Sequence, residues 1–303
     1  MKTDTIQTRK WITTCLLALL TFCLVLTGVF FIAPLEAEAA TGDTFTVDNI
    51  IYRVLTEEEG NYTVEVLDEA LTEETAVTIP ATVSNGTHTY SVTAIAAEAF
   101  WLCDDLTGIT IPEGVTSIGK QAFTGCTNLT SIPLPESLET IDEQAFEYCY
   151  GLESITIPAG VSSISGYTFY QCTSLTSIII SEGVTAIDTN AFGDCTALTG
   201  ITIPNSVTSV AGTAFTGCSS LTSISVGSGH TSFSSANGDL YNKEGTTLFI
   251  YAPGKQESAF EVASTVTAIG DYAFSYCTSL ESITIPSRAT LPSLHPQNNY
   301  CTL

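Results

Sequence analysis

Apolar and polar positions along this chain repeat with a period of 23 residues. Cysteine marks the period most clearly, because it recurs every 23 residues from Cys103 to Cys218 and returns at Cys277 after a 59-residue gap. Other apolar columns keep the same register, and the first unit shows them all: Leu106, Ile109, Ile111, Val115, Ile118, Ala122, Phe123 and Cys126. A fixed period of this length predicts a solenoid in which each repeat forms one coil.

The apolar spacing changes within one repeat. Ile109 and Ile111 alternate with polar residues, which predicts a short strand with both isoleucines on its inward side. Pro112 then ends the strand, because proline cannot donate a hydrogen bond to a ladder. From Ile118 to Cys126 the wider apolar spacing predicts a short helical turn on the opposite side of the coil.

A single repeat is not expected to fold alone. Roughly eight of its 23 positions are apolar, and burying each such side chain stabilises by about 1.5 to 3 kcal/mol. Ordering each residue costs about 1 to 2 kcal/mol, so the coils must be stacked to share their apolar columns. The predicted fold is a repeat solenoid with a β-sheet of short strands on one face and turns or helical turns on the other.

The repeat carries a family resemblance in four consensus motifs: L-T-S-I-T-I-P, G-V-T-S-I-G, A-F and C-T-S-L. They resemble the BspA-like leucine-rich repeats of bacterial surface proteins, over about residues 77 to 286. The resemblance implies a leucine-rich-repeat solenoid, a right-handed coil with a parallel β-sheet on one face, and an exported protein. It also implies a frequent role of such proteins in adhesion to host proteins or to other cells.

Segments at both ends fall outside the period. Residues 41–76 contain two strand-like runs around a Glu59-Gly60-Asn61 turn, which predicts an N-terminal β cap that shields the end of the core. The repeats occupy residues 77–286. Residues 287–303 lack the valine, isoleucine and Ala-Phe columns, so we expect an irregular tail. We hypothesise that the chain is truncated relative to a longer surface protein.

Two insertions interrupt the repeats, at about residues 81–91 and 229–260. Asn85-Gly86 in the first is a strong hairpin turn. Lys243-Glu244-Gly245 in the second separates two runs with strand character, which predicts another hairpin.

The N-terminal segment has the order of an export signal. Basic residues precede an apolar run over residues 11–33, and the small residues Ala37 and Ala39 follow it. This order predicts a secretory signal peptide over residues 1–39. The run is also long enough to span a bilayer, so an uncleaved N-terminal anchor is the alternative. Either outcome predicts a secreted or cell-surface protein.

The charge balance narrows the choice of partners. Eight Lys and Arg residues stand against 32 Asp and Glu residues, a net charge of −24. Such a chain repels phosphate backbones and anionic lipid headgroups, so no nucleic-acid partner is expected. Membrane contact is expected only through the N-terminal segment, if that segment is uncleaved.

The candidate chemistry favours a noncatalytic protein. The cysteine column predicts packed thiols that act as small hydrophobic side chains, and single-file cysteines do not converge as zinc ligands do. His88, His230 and His295 lie in two insertions and the tail, with no sign of convergence. No G-x-S-x-G elbow or phosphate-binding loop occurs. We therefore predict no enzyme activity, no cofactor and no metal site.

The outward positions of the strands and the long insertion are the predicted binding surface. Small hydroxylated side chains dominate the strand positions, with one isoleucine among them, and four aromatic residues lie in the insertion, where some rings are expected to cover the solenoid. The predicted residues are Thr110, Ser131, Ser154, Thr156, Ser177, Ile179, Thr202, Ser223 and Ser225 on the strands, and Phe233, Tyr241, Phe249 and Tyr251 in the insertion. Repeat proteins use extended faces of this kind for recognition.

The leading functional hypothesis is a noncatalytic adhesion or binding module for an extracellular protein or glycan, such as a host matrix protein or another cell surface. A structural spacer, or a truncated remnant without a ligand of its own, is the alternative. An accessory domain of an enzyme is a third option.

Overall fold

The computed structural model describes residues 40–69 and 75–291. The predicted signal segment, His295 and most of the predicted tail lie outside these residues. The described chain is a solenoid of about eight turns, built from short parallel strands joined by turns, with no helix in the described ranges. Those ranges therefore also contain no helix that could span a membrane. The right-handed sense of the coil stays a prediction.

The strands are short because each contributes only one side of a coil. Their bounds, in chain order, are β1 (Thr44–Val47), β2 (Ile50–Glu58), β3 (Asn61–Glu69), β4 (Ala76–Thr78), β5 (Thr82–Ser84), β6 (Thr89–Ile95), β7 (Gly108–Thr110), β8 (Ser117–Ile118), β9 (Thr140–Ile141), β10 (Ser154–Ile157), β11 (Ser163–Ile164), β12 (Ser177–Ile180), β13 (Ala186–Ile187), β14 (Gly200–Ile203), β15 (Ser209–Val210), β16 (Ser223–Val226), β17 (Phe233–Ala236), β18 (Asp239–Asn242), β19 (Thr247–Ile250), β20 (Ala259–Glu261), β21 (Ala268–Ile269) and β22 (Ser282–Thr284).

Each regular coil has two strand positions, and both stack in register with the neighbouring coil. On the first, β10 pairs with β12 and β14 pairs with β16, each in parallel and one repeat apart. We call this the strand side; it also includes β7 and Ser131, which bridges to Gly108 and to Ser154. On the second, β8 pairs with β9, and β11, β13 and β15 form a three-stranded parallel sheet.

The opposite side of each coil, called the turn side, comprises residues 96–103 in the first coil and the equivalent positions of the next five. The predicted helical turn is not found there. Phe123 N–H donates to Ala145 of the next coil over 2.8 Å, whereas Thr124 N–H donates locally to Gln121 over 3.1 Å. Gln121 has a φ of 58°, which an α-helix does not tolerate. On the turn side, every second amide therefore donates to the neighbouring coil, and the amides between them close tight turns within their own coil.

Phenylalanine forms a continuous stack inside the turn side. The five ring pairs have centroid distances between 5.0 and 5.6 Å and interplanar angles between 2° and 8°. The rings belong to Phe100, Phe123, Phe146, Phe169, Phe192 and Phe215, and all are buried. Equal spacing follows from the equal length of the repeats, which places each ring directly over the previous one.

The cysteine column lies beside this stack, in the interior, as the sequence analysis predicted for packed thiols. All seven column cysteines are described and buried, and none is in a disulfide. In five consecutive coils the thiol donates to the carbonyl of the phenylalanine 26 residues earlier; Cys172 Sγ reaches Phe146 over 3.2 Å. Burial raises the pKa of Cys149 and Cys172, so these thiols stay protonated.

Less regular sheets occupy the N-terminal segment and the long insertion. β1, β2 and β3 are antiparallel, and β3 then pairs in parallel with β6. Around Asn85-Gly86, β5 pairs with β6 as a hairpin. In the long insertion β17, β18 and β19 form an antiparallel sheet that continues into β21 of the last coils. A second cluster of buried apolar side chains joins this insertion to the last coils.

Candidate binding surfaces

The strand side presents a row of small hydroxylated side chains to solvent. Alternation along each strand explains this, since Ile155 and Ile157 of β10 point inward and Thr156 between them is exposed. The other predicted positions behave alike: Thr110, Ser131, Ser154, Ser177, Ile179, Thr202 and Ser223 are exposed, and Ser225 is half-buried. The predicted residues therefore share one face, which runs over six consecutive coils.

One pair of neighbouring hydroxyl groups on this face is hydrogen-bonded. Thr202 Oγ1 and Ser225 Oγ are 3.0 Å apart, and Ser225 Oγ donates to the Ile201 carbonyl over 3.2 Å. Stacking at one-repeat intervals thus turns a sequence column into a line of donors and acceptors. Such a line offers hydrogen bonds to a polar ligand.

The ladder on the strand side is interrupted between the fourth and the fifth coil. β10–β12 and β14–β16 are ladder pairs, but among the described strands β12 and β14 do not pair. A cavity of about 350 Å³ opens at this break, and Ile179 beside it is 59% exposed. We call this the Ile179 cleft; it is lined by Ile178, Ile179, Ile180, Glu182, Thr202, Ile203, Pro204, Asn205 and Gly227.

A carboxylate holds one rim of the Ile179 cleft in place. Glu182 accepts the backbone N–H of Asn205 over 3.0 Å and that of Ser206 over 2.9 Å. These two donors belong to the next coil, so the interaction ties both walls of the cleft together. The backbone hydrogen bonds also lower the pKa of Glu182, which keeps it ionised.

The aromatic residues of the long insertion do not form an exposed patch, which corrects the sequence prediction. Phe233, Tyr241 and Tyr251 are buried, and Phe249 is half-buried. Tyr251 contacts Phe260, with ring centroids 4.7 Å apart, inside the second apolar cluster. The physical reason is that the insertion packs into both apolar clusters: Phe233 belongs to the main core with Phe249 against it, and Tyr241 and Tyr251 belong to the second cluster.

A buried ion pair holds two parts of this insertion together. Lys255 Nζ lies 2.8 Å from the Asp239 carboxylate, and both side chains are almost fully buried. Asp239 also accepts the Ala252 N–H over 2.9 Å, and Lys255 lies 4.6 Å from the centroid of the Tyr251 ring. Burial raises the pKa of Asp239 despite these partners. Contact with the regular coils comes from the backbone, where Gly254 N–H donates to the Leu221 carbonyl over 2.9 Å, and from the second apolar cluster.

The two described histidines lie in different structural settings. His230 is buried in the insertion, where its Nδ1 accepts the Ser232 and Phe233 amides over 3.1 Å each, and burial lowers its pKa. His88 stacks on Tyr62 with ring centroids 4.5 Å apart. Within the described ranges no cluster of His, Cys, Asp and Glu has the arrangement of a metal site.

A second cavity, which the sequence analysis missed, lies on the turn side. It measures about 460 Å³ and is lined by Glu143, Gln144, Glu147, Gly166, Tyr167, Asp188, Thr189 and Ala211. A signal for it was present in the sequence, since tyrosine and glutamate replace the glutamine and threonine of other repeats at the positions of Tyr167 and Glu147.

Comparison with solved structures identifies similar solenoids. The pneumococcal vaccine antigen PcpA is 25% identical, with a TM-score of 0.72 over 82% of this chain and 71% of that chain. A leucine-rich cell surface protein from Faecalibacterium prausnitzii is 28% identical, with a TM-score of 0.63 over 82% of this chain and 76% of that chain. A leucine-rich repeat protein from Eubacterium ventriosum is 24% identical, with a TM-score of 0.50 over 81% of this chain and 60% of that chain.

Comparison with sequence families gives a direct assignment. No curated protein matches the chain. The family model described as the BspA type leucine-rich repeat region matches six copies, over residues 93–222 and 251–294. These segments cover more than half of the chain, and they confirm the resemblance carried by the repeat motifs. The chain belongs to the BspA-type leucine-rich repeat family.

Proposed function

We propose that this chain is a noncatalytic binding module, exported to the cell surface or secreted, that recognises an extracellular protein or glycan through its strand side. The Ile179 cleft is the centre of this surface. The observation that carries the proposal is the coincidence of an exposed isoleucine, a cavity of about 350 Å³ and a break in the β ladder at the same place.

The composition of the cleft suits recognition. An isolated exposed isoleucine needs no explanation, but Ile179 stands beside a cavity and is surrounded by exposed hydroxyl groups of Ser177 and Thr202. An apolar anchor enclosed by a polar rim is the arrangement that dominates the binding energy of protein interfaces. The break adds backbone groups of β12 and β14 that a ligand can reach.

The similar structures support a surface role. One of them is a cell surface protein and another is a vaccine antigen, and the predicted export signal points in the same direction. The long insertion covers the end of the apolar core. Of its four predicted aromatic residues, Phe249 alone is half-buried, and the other three are buried.

Binding of the purified chain to arrays of extracellular-matrix proteins and glycans tests this proposal. For each partner found, Ile179→Thr is expected to weaken binding at least about tenfold, which corresponds to about 1.4 kcal/mol. Threonine occupies the equivalent position in both neighbouring coils, at Thr156 and Thr202, so the fold should be unchanged.

Thr156→Ile provides the matched control, because it places the same apolar side chain one coil away from the break. It should neither weaken binding of the wild-type chain nor restore binding to the Ile179→Thr variant. A silent array would overturn the proposal and favour the spacer, and so would equal binding of the wild type and the Ile179→Thr variant.

A further inference from the structure

Four tyrosines of two adjacent coils form a patch, three of them on the turn side and Tyr150 directly after it. Tyr150 and Tyr167 are exposed, and Tyr148 and Tyr170 are half-buried. Ring centroids are 6.1 Å apart for Tyr148 and Tyr150, 5.9 Å for Tyr148 and Tyr170, and 5.5 Å for Tyr167 and Tyr170. We call these four residues the tyrosine patch. They give this part of the solenoid a continuous aromatic surface.

The cavity of about 460 Å³ adjoins this patch, because Tyr167 lines both. Three carboxylates, those of Glu143, Glu147 and Asp188, also line it. Glu147 is only 6% exposed, and its Oε2 accepts Gln144 Nε2 over 2.7 Å. Burial raises the pKa of Glu147, so a cationic ligand that approaches the carboxylate would favour its ionised form.

The negative charge of the cavity is only partly balanced by the protein. Glu143 pairs with Lys120 Nζ over 3.0 Å, and both side chains are well exposed. A further carboxylate, that of Asp194, lies close enough to Tyr170 to contribute to the raised pKa of that phenol, after the larger effect of burial. The cavity therefore combines aromatic faces with an excess of hydrogen-bond acceptors.

The core does not require these side chains. At the position of Tyr167 the two preceding coils carry Gln121 and Gln144, with nearly the same backbone φ of 58° and 62° against 59°. At the position of Glu147 other coils carry Thr124 and Thr216. The phenylalanine stack has the same spacing beneath all of these coils, so the tyrosines and the glutamate are departures that packing does not explain.

We propose that this cavity and the tyrosine patch bind an arginine side chain of a partner protein. A guanidinium group stacks on tyrosine rings and donates paired hydrogen bonds to carboxylates, and the site supplies both. A volume of about 460 Å³ lies within the usual range of ligand sites. The net charge of −24 attracts a basic segment of a partner from a distance.

Three blocked peptides that differ only in one central residue, arginine, lysine or citrulline, test this site by fluorescence anisotropy on the full chain. The arginine peptide is expected to bind most tightly, the lysine peptide less tightly, and the citrulline peptide at least tenfold more weakly than the arginine peptide. Citrulline keeps the shape of arginine without its charge. Equal binding of the arginine and citrulline peptides would overturn the proposal.

Substitutions that introduce the residue found at the same position of another coil test whether the peptide binds in this cavity. Tyr167→Gln and Glu147→Thr should each weaken the arginine peptide at least tenfold and leave circular dichroism unchanged, because neighbouring coils carry the introduced residues. Glu153→Thr is the control for unspecific attraction. It removes an exposed carboxylate from a column that is threonine in adjacent coils, and it should leave binding unchanged. An equal loss in this control would refute a specific site.

The site is independent of the Ile179 cleft, so Ile179→Thr should bind the arginine peptide as the wild type does. A sugar is the main rival ligand for a site with tyrosines and carboxylates. Glycan binding that Tyr167→Gln abolishes, with the arginine peptide unaffected, would replace the proposal by a carbohydrate site.

Discussion

The strand side and the turn side of the same coils meet different demands. On the turn side the phenylalanine stack is continuous from Phe100 to Phe215, with nearly parallel rings in every coil. On the strand side the ladder is interrupted between β12 and β14, although the coils remain stacked. The turn side and the second strand position, where β13 pairs with β15, both continue across this break. The coils therefore stay stacked while the strand side opens a cleft.

A second difference separates the inside of each coil from its outside. Inward columns hardly vary, because each side chain must fit over the equivalent side chain of the neighbouring coil. Outward positions vary at little cost in stability. The departures at Ile179 and at the tyrosine patch lie outward, and both adjoin a cavity.

The sharpest stability contrast is expected between Phe169 and its outward neighbour Tyr170. Phe169→Ala removes a buried ring that stacks on two others, and it should lower the free energy of unfolding by about 3 to 5 kcal/mol. Tyr170→Thr copies Thr124 and Thr216, and it should cost no more than about 1.5 kcal/mol, because it loses only ring contacts at the surface. Urea denaturation measures both. Similar losses would contradict the division between inside and outside.

The insertion should depend on one polar pair rather than on repetition. Lys255→Met leaves the buried Asp239 carboxylate without its cation, and the expected loss is about 3 to 5 kcal/mol near neutral pH. Because the variant raises the pKa of Asp239 further, its stability should be higher near pH 4 than near pH 7, as the protonated acid carries no charge. Denaturation at the two pH values checks the sign. A loss independent of pH would indicate packing alone.

The cysteine column should contribute moderately. Cys172→Ala removes buried sulfur contacts and the hydrogen bond to Phe146, for an expected loss of about 1 to 2 kcal/mol. Thermal denaturation under reducing conditions measures this change. Equal stability of the variant and the wild type would show that the thiol does not contribute to the free energy of unfolding.

The rim of the Ile179 cleft should show the smallest effect, and one that depends on pH. The pKa of Glu182 is lowered in the folded chain, so its contribution is present above the unfolded pKa and is lost as pH falls through the folded one. Glu182→Gln should therefore be less stable than the wild type at pH 7 and indistinguishable from it in strong acid. A difference that persists in acid would point to another role.

Much of the fold could be predicted because the repeated columns report directly which side chains are stacked. The helical turn could not be excluded in this way. The spacing from Ile118 to Cys126 suits a helix and a tight turn equally, and Gln121 gives no sign of its positive φ. The same holds for the insertion, where Tyr241 and Tyr251 carry a hydroxyl that suits exposure, yet both rings are buried in the second apolar cluster with residues of the last coils.

The two candidate sites differ in how far they could be predicted from the sequence. Ile179 stands out in its column, but the break between β12 and β14 has no sequence signal, because both strands carry the same inward isoleucines. Tyr167 and Glu147 were visible departures on the turn side. Only the structure shows that residues one repeat apart line the same cavity.

Site-resolved amide hydrogen exchange tests most directly whether the strand side opens while the turn side stays closed. Ile224 N–H donates forward to the Gly238 carbonyl over 2.8 Å. The equivalent amides of Ile155, Ile178 and Ile201 therefore also face the next coil, and the Ile178 amide faces the break. We predict that the Ile178 amide exchanges faster than the amides of Ile155 and Ile201. On the turn side the Phe169 amide donates to the Ala191 carbonyl over 2.8 Å, and it should exchange only with global unfolding. Equal protection of the three isoleucine amides would contradict the opening.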